Sequence, residues 1–536
     1  MDHILTLADA VATHARLSPQ KIGVMDTTRS LTFRQWQERA SRLGNGLLDL
    51  GLKKGDRVAL LAYNCIEWME MYVGLSQAGL VAVPINFRLS APEIAYIIKN
   101  CGASACIVQD TLSEKVDAIR HEVPIASHRY IYFGSAAPAG YQEYEALIDA
   151  SDSSTPPIVV EGSDTFALLY TSGTTGRPKG AIRNHAGNAQ IAIATALEMG
   201  FTRNDRGLLV MPMCHANSIY FCVAFVYLGA TVVIDNRKSF DPEALIATLA
   251  NERITFTSLV PTHYVMILEL PAAVREKYDV SAVAKLMISS APARKELKLA
   301  IMDYFENGKL HELYGSTELG WVTLLRPEEQ LDKLGSVGRE WACSGAIKML
   351  GADGNEVPDG EVGELHSRTP YVFDGYWDNP EKTTEAFAGK WCSVGDMARR
   401  DSDGYIYLVD RKSNMIISGG ENIYPSEVEY VIASHTAVKE VAVIGMPDIK
   451  WGEFVQAIVV LYPGQTATEA EILGWCRDRL AGFKRPRTVV FVTEEQMPRT
   501  ATGKIQHRLL RDQLLSAAIG NTSDEADTLV TALVHP

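Results

Sequence analysis

The chain has 536 residues, which exceeds the size of one ordinary hydrophobic core and predicts two or more domains. A hydrophobic content of 47% and a charged content of 22% are typical of a globular, soluble protein. The net charge of −14 argues against a nucleic-acid-binding surface. The N-terminus has an early acid and no cationic segment, so we expect no signal peptide and a cytoplasmic location.

Helix and strand patterns alternate in the first part of the chain. Apolar residues at helical spacing follow Thr32, which forms a predicted capping box with Gln35. The runs RVALLA, LVAVPI and SACIVQ are typical of buried strands, and Ser90 with Glu93 predicts the cap of another helix. This alternation indicates right-handed crossovers and a mostly parallel sheet.

The stretch from Gly207 to Ile234 carries no formal charge and could be taken for a membrane span. Pro212 interrupts its first half, and Gly229 interrupts its second. A helix near residues 217–228 followed by a buried strand at 230–234 explains it better than a span of about 20 apolar residues. We therefore expect no transmembrane segment here.

The pattern changes twice towards the C-terminus. From about residue 335, short strands separated by Gly and Asp turns predict an antiparallel β region, and a smaller α/β unit begins after Asp410. The predicted fold is therefore α/β. A large N-terminal domain (1–410) combines parallel sheets and helices with a β-rich subdomain, and a smaller α/β domain (411–536) follows it.

A loop rich in glycine and hydroxyl groups, YTSGTTGRPKG, runs from Tyr170 to Gly180. Its backbone N–H groups and hydroxyls could close around phosphate oxygens, and Lys179 adds a positive charge. The Walker pattern is not met, because Gly180 and Ala181 follow the lysine. Taken alone, the loop fits either a polyphosphate site or a flexible surface loop.

Further motifs show what this loop resembles. It is similar to the phosphate loop of the adenylate-forming superfamily, which includes acyl-CoA synthetases, peptide-synthetase adenylation domains and luciferases. The motifs YGSTE, SVGD, DRKSNMIISGGENIYPSEVE and PRTATGK follow in that family's order and span nearly the whole chain. The resemblance implies that a carboxylate and ATP form an acyl-adenylate and pyrophosphate, after which coenzyme A displaces AMP to give a thioester.

The resemblance also implies a set of residues that bind ATP and Mg²⁺. Glu318 corresponds to the magnesium ligand, and one carboxylate with phosphate oxygens suits this ion. Thr317 would contact the α-phosphate, Tyr314 would face the adenine, and Asp396 with Arg411 would bind the ribose. The remaining implied nucleotide-binding residues are Thr171, Ser172, Gly173, Thr174, Thr175, Gly176, Lys179, Ser290, Ala291, Pro292, Gly315 and Ser316.

The C-terminal domain of the family is a mobile lid with its own functional residues. Lys504 resembles the lysine that reaches the carboxylate and α-phosphate during adenylation, and it must leave before coenzyme A approaches. Gly419 and Gly420 resemble a turn that then faces the thiol channel. Ser413 stands at the hinge, where the family commonly has Asp or Lys, so the pivot between the two domain orientations lacks that charge here.

The implied acyl pocket favours an apolar acid. His215 corresponds to a gate between the carboxylate and the thiol tunnel, and the segment that follows it lacks the acid that would pair an amino-acid substrate. Leu313 and Trp321 would narrow the floor of the acyl pocket. This narrowing predicts that the substrates are short- or medium-chain, alicyclic or aromatic acids, unless the Trp321 side chain points into the core. The predicted pocket residues are His215, Ser218, Ile219, Leu313 and Trp321.

Three functions fit these residues to different degrees. A peptide-synthetase role is disfavoured, because we expect no carrier segment after the small domain. An acyl-CoA ligase, as monomer or homodimer, is favoured over a freestanding adenylating enzyme that loads a carrier protein, and thiol trapping with coenzyme A against a pantetheine-bearing carrier would distinguish the two. A non-catalytic or transport-coupled binder is disfavoured, because Lys179, Glu318 and Lys504 are all intact.

Overall fold

The computed structural model describes residues 5–171, 178–289, 293–418, 421–477, 479–500 and 503–520. The chain separates into two units: Met1–Lys348, His366–Val394 and Asp401–Tyr407 form the first, and Met349–Leu365, Gly395–Arg400 and Leu408–Pro536 form the second. The predicted α/β fold with a large N-terminal and a smaller C-terminal domain is confirmed. The boundary at residue 410 stays a prediction.

The secondary structure follows the alternation in the sequence. The α-helices are α1 (Leu7–Leu17), α2 (Phe33–Asp49), α3 (Glu67–Gln77), α4 (Ala91–Cys101), α5 (Ser113–Asp117), α6 (Tyr144–Ala150), α7 (His185–Met199), α8 (Ala216–Leu228), α9 (Pro242–Asn251), α10 (Pro261–Leu268), α11 (Ala272–Arg275), α12 (Lys295–Tyr304), α13 (Pro380–Ala386), α14 (Pro425–Ala433), α15 (Glu469–Arg477) and α16 (His507–Gly520). The strands are β1 (Ile22–Met25), β2 (Ser30–Thr32), β3 (Arg57–Leu61), β4 (Val81–Ile85), β5 (Ala105–Gln109), β6 (Tyr130–Phe133), β7 (Gln142–Glu143), β8 (Thr165–Thr171), β9 (Lys179–Asn184), β10 (Arg206–Leu209), β11 (Thr231–Ile234), β12 (Phe256–Leu259), β13 (Lys285–Ile288), β14 (Lys309–Ser316), β15 (Gly320–Leu325), β16 (Arg339–Glu340), β17 (Ile347–Leu350), β18 (Val362–Ser367), β19 (Phe387–Ala388), β20 (Trp391–Cys392), β21 (Asp396–Arg400), β22 (Ile406–Arg411), β23 (Ile416–Ser418), β24 (Glu421–Ile423), β25 (Val438–Asp448), β26 (Gly452–Leu461) and β27 (Thr488–Phe491).

Two mostly parallel sheets form the centre of the first unit. One has the order β7-β6-β5-β3-β4-β8-β9, and the other has the order β16-β15-β14-β13-β12-β10-β11-β1-β2. Their inner strands are buried, and β3, β4 and β11 are nearly continuous apolar runs, as is typical of parallel strands buried on both faces. An antiparallel hairpin lies at or near one edge of each sheet: β8 pairs with β9 in one, and β14 pairs with β15 in the other.

Local signals in the sequence set several element boundaries. The capping boxes of Thr32 with Gln35 and of Ser90 with Glu93 are confirmed at the starts of α2 and α4. The uncharged stretch forms α8 and β11, separated by Gly229, whose φ of +66° suits glycine. Among the residues that the structure describes, no helix is long and apolar enough to cross a membrane.

The second unit contains a mainly antiparallel sheet. Its strand order is β24-β23-β26-β25, and β27 adds to β26 in parallel. Apolar residues of α14 and α15 pack on one face, while Leu510 of α16 belongs to a separate buried cluster. In the β-rich region, β18 pairs with β21 in antiparallel register, as the turn-rich sequence predicts.

Candidate active site

The predicted magnesium ligand and the predicted phosphate-binding lysine both contact one tyrosine. Glu318 follows the end of β14 and is only 7% exposed. The Tyr376 hydroxyl donates a hydrogen bond of 2.8 Å to Glu318 Oε1. The ammonium of Lys179, at the start of β9, lies 4.1 Å from the centre of the Tyr376 ring, which is a cation–π distance. The structure therefore places Lys179 over the ring face of Tyr376 and Glu318 at the hydroxyl of the same side chain.

Backbone pairing explains why Tyr376 reaches this position. The Ile182 N–H donates to the Gly375 carbonyl at 2.9 Å, and the Trp377 N–H donates to the Gly180 carbonyl at 2.8 Å. The Phe373 N–H donates to the Glu318 carbonyl at 2.8 Å. The segment around Tyr376 is thus held by β9 on one side and by the turn that carries Glu318 on the other.

Arg183 supports the same turn from β9. It is buried, and its Nη1 donates to the carbonyls of Thr317 and Glu318 at 3.4 and 3.3 Å. The Tyr220 hydroxyl on α8 also donates to the Thr317 carbonyl, at 3.1 Å, and the Arg183 guanidinium lies 5.3 Å from the Tyr220 ring centre. The backbone of both predicted catalytic residues is therefore fixed by buried donors.

In β14, the strand before this turn, the backbone at Gly315 lies very close to the backbone at Gly320. A side chain at Gly315 would place its Cβ 2.3 Å from the Gly320 carbonyl oxygen, so a glycine is required there. The Ser316 hydroxyl accepts a hydrogen bond from the Leu319 N–H at 3.0 Å and closes the turn. Tyr314 is buried at the end of the same strand. The tight hairpin explains why the motif YGSTE has small residues at Gly315 and Ser316. The contact of Tyr314 with adenine stays a prediction.

The residues around Glu318 fit a magnesium ion. The described part of the chain contains no group of three or more His, Cys, Asp or Glu side chains that could hold a metal. A single buried carboxylate near Lys179 suits Mg²⁺, since this ion commonly takes one or two carboxylates together with phosphate oxygens and water.

His215 and the predicted pocket residues lie around the start of α8. His215 precedes the helix, and its Nε2 is 3.3 Å from Asn86 Nδ2. Ser218 is buried and donates to the Met211 carbonyl at 2.7 Å, and Ile219 is buried beside it. Asn217 extends from the same turn to Ser289 Oγ at 3.0 Å. The roles of His215 as a gate and of Ser218 and Ile219 as pocket lining stay predictions.

Trp321 is packed against α8. It is 4% exposed, and its ring centre lies 5.2 Å from Tyr220 and 5.1 Å from Phe221. Its Nε1 donates to Thr195 Oγ1 on α7 at 2.9 Å. Leu313 is also buried, on β14. Trp321 therefore lies in the buried core, as in the alternative that the sequence left open, and it packs against α8, the helix that carries Ser218 and Ile219. Its role as the floor of the acyl pocket stays a prediction.

Three predicted residues lie near one another in the second unit. Arg411 Nε contacts Asp396 Oδ1 at 2.7 Å, and Asp396 is largely buried. The pKa of the Lys504 ammonium lies below its usual value, mainly because the surrounding protein removes part of its hydration. The positive charge of Arg411 lowers this pKa further, whereas the negative charge of Asp396 raises it. The Lys504 side chain still has access to solvent. Ser413 lies in an exposed 3₁₀ turn, Lys412–Asn414.

Several predicted residues cannot be placed. Thr171 ends β8 and pairs with Lys179, but the loop between them lies outside the described residues. The predicted site residues outside the described part of the chain are Ser172, Gly173, Thr174, Thr175, Gly176, Ser290, Ala291, Pro292, Gly419 and Gly420.

Two residues of this site lie outside the sequence motifs. Tyr376 belongs to the run DGYWDNPEKT, whose Gly and Asp residues predict only a turn between short strands. Two aromatic residues next to a glycine in a polar turn could have indicated a functional contact. Arg183 is a charge within the apolar segment GAIRN, and a buried cation in a strand is rare enough to be a signal.

Comparisons with known proteins assign the chain to a family. Residues 11–377 match the family described as AMP-binding enzyme, and residues 427–504 match the AMP-binding enzyme C-terminal domain. Feruloyl-CoA synthase of Amycolatopsis sp is 36% identical over 496 residues, or 92% of this chain and 95% of the relative. A long-chain-fatty-acid–CoA ligase of Mycobacterium tuberculosis is 35% identical over 90% of this chain and 93% of its own length. One similar solved structure is O-succinylbenzoate coenzyme A synthetase from Bacillus subtilis, in complex with ATP and magnesium ion. Its TM-score against this chain is 0.81 at 27% sequence identity, and the match covers 94% of this chain and 99% of that one.

These matches run through both predicted domains and agree with the family that the sequence motifs indicate. The chain belongs to the AMP-binding enzymes of the adenylate-forming superfamily, and it is an AMP-forming acid–thiol ligase that uses ATP, Mg²⁺ and coenzyme A to convert a carboxylic acid through its acyl-adenylate into a thioester.

Proposed function

We propose that this ligase activates short- or medium-chain, alicyclic or single-ring aromatic acids. The observation that carries the proposal is that Trp321, although buried in the core, packs against Tyr220 and Phe221 of α8, so that aromatic rings fill the space behind the helix that carries Ser218 and Ile219. The named relatives handle a feruloyl group in one case and long-chain fatty acids in another, so likeness alone does not choose between ring and chain.

The segment after His215 supports an uncharged acyl group. It reads CHANSIYFCVAF and contains no acid, so an α-ammonium group would be buried without a partner. A freestanding enzyme that loads a carrier protein is not favoured by the comparisons. A cytoplasmic location and a monomeric or homodimeric state remain predictions.

In the adenylation half-reaction, the proposed roles concern charge and position. Lys179 and the loop before it hold the terminal phosphates of ATP, and Thr317 contacts the α-phosphate. Glu318 would hold Mg²⁺, which neutralises charge on the phosphate oxygens when bound. Lys504 stabilises the negative charge that develops when the carboxylate attacks the α-phosphate. No general base is needed, because the carboxylate is already ionised at neutral pH.

The second half-reaction requires a different set of residues. Asp396 and Arg411 keep the ribose of the acyl-adenylate in place, His215 opens the path between the acyl group and the thiol, and Gly419 with Gly420 lines the approach of coenzyme A. Ser413 is the proposed pivot between the two half-reactions. The thiol of coenzyme A releases its proton to solvent, and its sulfur forms the new bond to the acyl carbon. The bond between that carbon and the phosphate oxygen breaks, and AMP leaves with its electron pair.

The test is AMP release across a panel of carboxylic acids, with coenzyme A as the acceptor. We expect the highest kcat/KM for straight chains of intermediate length and for acids with one ring, and little turnover of palmitate or of amino acids. A kcat/KM that continues to rise to palmitate would contradict the substrate class. Turnover with a pantetheine-bearing carrier protein but not with free coenzyme A would contradict the choice of acceptor.

A further inference from the structure

We propose that Tyr376 is a positioning residue that orients the Glu318 carboxylate for Mg²⁺-dependent binding of ATP. The inference rests on the proposed role of Glu318 as the magnesium ligand. It adds a residue that lies outside the motifs on which that role depends.

The hydrogen bond between the two side chains limits how Glu318 can rotate. The Tyr376 hydroxyl donates to Oε1 at 2.8 Å, and both residues are only 7% exposed. A hydrogen bond to an ionised group in a buried site is stronger than a neutral one and is not replaced by water when it is lost. With one oxygen held in this way, the orientation of the second oxygen is set as well.

Tyr376 is itself held firmly. Its backbone N–H donates to Thr383 Oγ1 at 2.9 Å, and that hydroxyl donates to the Asn379 carbonyl at 2.8 Å. The ring packs edge-on against Phe373, with 4.8 Å between centres. Backbone hydrogen bonds on either side join the segment to β9. These contacts hold Tyr376 in place without the Glu318 side chain.

The ring of Tyr376 has a second contact that can be separated from the first. Lys179 lies 4.1 Å from the ring centre, so the face of the ring holds the phosphate-binding lysine while the hydroxyl holds the carboxylate. Tyr376→Phe removes only the hydroxyl and keeps the ring. In this variant, the Mg²⁺ concentration needed for ATP binding should rise, whereas the affinity for the phosphates without Mg²⁺ should stay nearly the same.

Tyr371 provides a matched control on the same segment. It is fully buried, and its hydroxyl donates to the Trp321 carbonyl at 2.9 Å, a contact that does not involve Glu318. Tyr371→Phe therefore removes a buried tyrosine hydroxyl of the same kind. A loss of general stability should affect both variants, whereas a loss of orientation at Glu318 should affect only Tyr376→Phe.

The experiment measures binding of α,β-methylene-ATP by calorimetry at increasing Mg²⁺ concentration, because this analogue cannot be adenylated. We expect Tyr376→Phe to raise the Mg²⁺ concentration for half-maximal binding by roughly tenfold, the scale of one hydrogen bond to a charged group. Binding without Mg²⁺ should stay within about twofold of wild type, because the ring contact with Lys179 is kept. Thioester formation from supplied acyl-adenylate should not change, and Tyr371→Phe should follow the wild-type Mg²⁺ curve.

Two further variants distinguish the possible failures. If Glu318→Gln leaves the Mg²⁺ curve unchanged, the proposed metal ligand is wrong and the inference falls with it. If Glu318→Gln shifts the curve but Tyr376→Phe does not, or if Tyr371→Phe shifts it equally, only the inference is overturned. Should Tyr376→Phe not fold, Thr383→Val loosens the Tyr376 backbone and should raise the Mg²⁺ requirement in the same direction, and an unchanged curve would overturn the inference.

Discussion

The substitution Trp321→Ala tests whether this side chain limits the length of the acyl group. Trp321 is 4% exposed and contacts Tyr220 and Phe221 on α8. A buried tryptophan covers about 150–250 Å² of surface, and a methylene corresponds to roughly 30 Å² at 0.8 kcal/mol. The surface lost with the tryptophan side chain therefore corresponds to about five to eight methylenes. Each one that enters should raise kcat/KM by up to about fourfold.

The same substitution has a predictable cost in stability. Truncating a buried tryptophan costs about 3–5 kcal/mol, so the melting temperature should fall while the protein remains folded. The Thr195 hydroxyl loses the Trp321 donor but still donates to the Ile191 carbonyl at 2.6 Å, so no buried donor is left unpaired there.

The assay is kcat/KM for straight-chain acids from acetate to palmitate in wild type, Trp321→Ala and Trp341→Ala. Trp341 is a matched control because it is fully buried in the same cluster, 6.0 Å from Trp321 between ring centres. We expect the optimum to move to longer acids by several carbons in Trp321→Ala alone. An unchanged profile, the same shift in Trp341→Ala, or a wild-type profile that already rises through palmitate would refute the reasoning.

Three other variants address the catalytic cycle and stability. Lys504→Ala should slow adenylation by about 10²–10³ and leave thioester formation from supplied acyl-adenylate largely intact; equal losses in both half-reactions would contradict its role. Ser413→Pro fixes φ and should slow one half-reaction when the two are measured separately, and the hinge lies elsewhere if neither changes. Burial lowers the pKa of His185 to about 4, below its unfolded value, so stability is lost as pH falls from about 6.5 towards 4. His185→Phe should therefore reduce the loss of unfolding free energy between pH 7 and pH 5 by about 2 kcal/mol in urea titrations, and an unchanged loss would disprove this.

The sequence predicts elements whose signals are local. The cap at Thr32, the break at Gly229 and the strand–helix alternation all depend on residues within one or two turns, and each is found in the structure. In contrast, β1 is a short run that pairs Val24 with Val232, and no pattern near residue 24 indicates that partner. Long-range pairing is decided by the packing of the whole sheet, which single-sequence patterns do not contain.

The same distinction applies to the site. Glu318 and Lys179 lie in motifs with recognisable spacing, so both could be predicted from the sequence. Tyr376 reaches Glu318 only because its backbone pairs with β9, and Arg183 reaches the same turn from within that strand. Their roles depend on tertiary contacts between segments that are far apart in the chain, and the residue types alone did not reveal them.

The two attachments of Tyr220 restrict how this enzyme can evolve or be redesigned for new substrates. Its hydroxyl donates to the Thr317 carbonyl, and its ring packs edge-on against Trp321. A mutation at Tyr220 that enlarges the proposed pocket would also remove one of the hydrogen bonds that hold the turn carrying Thr317 and Glu318, leaving Arg183 as its support, so selectivity and turnover would change together. Mutations at Trp321 alter the same side of the proposed pocket and leave the hydrogen bond from the Tyr220 hydroxyl to the Thr317 carbonyl in place. An adaptive path or an engineering campaign towards larger acids is therefore expected to pass through Trp321 first and to retain Tyr220.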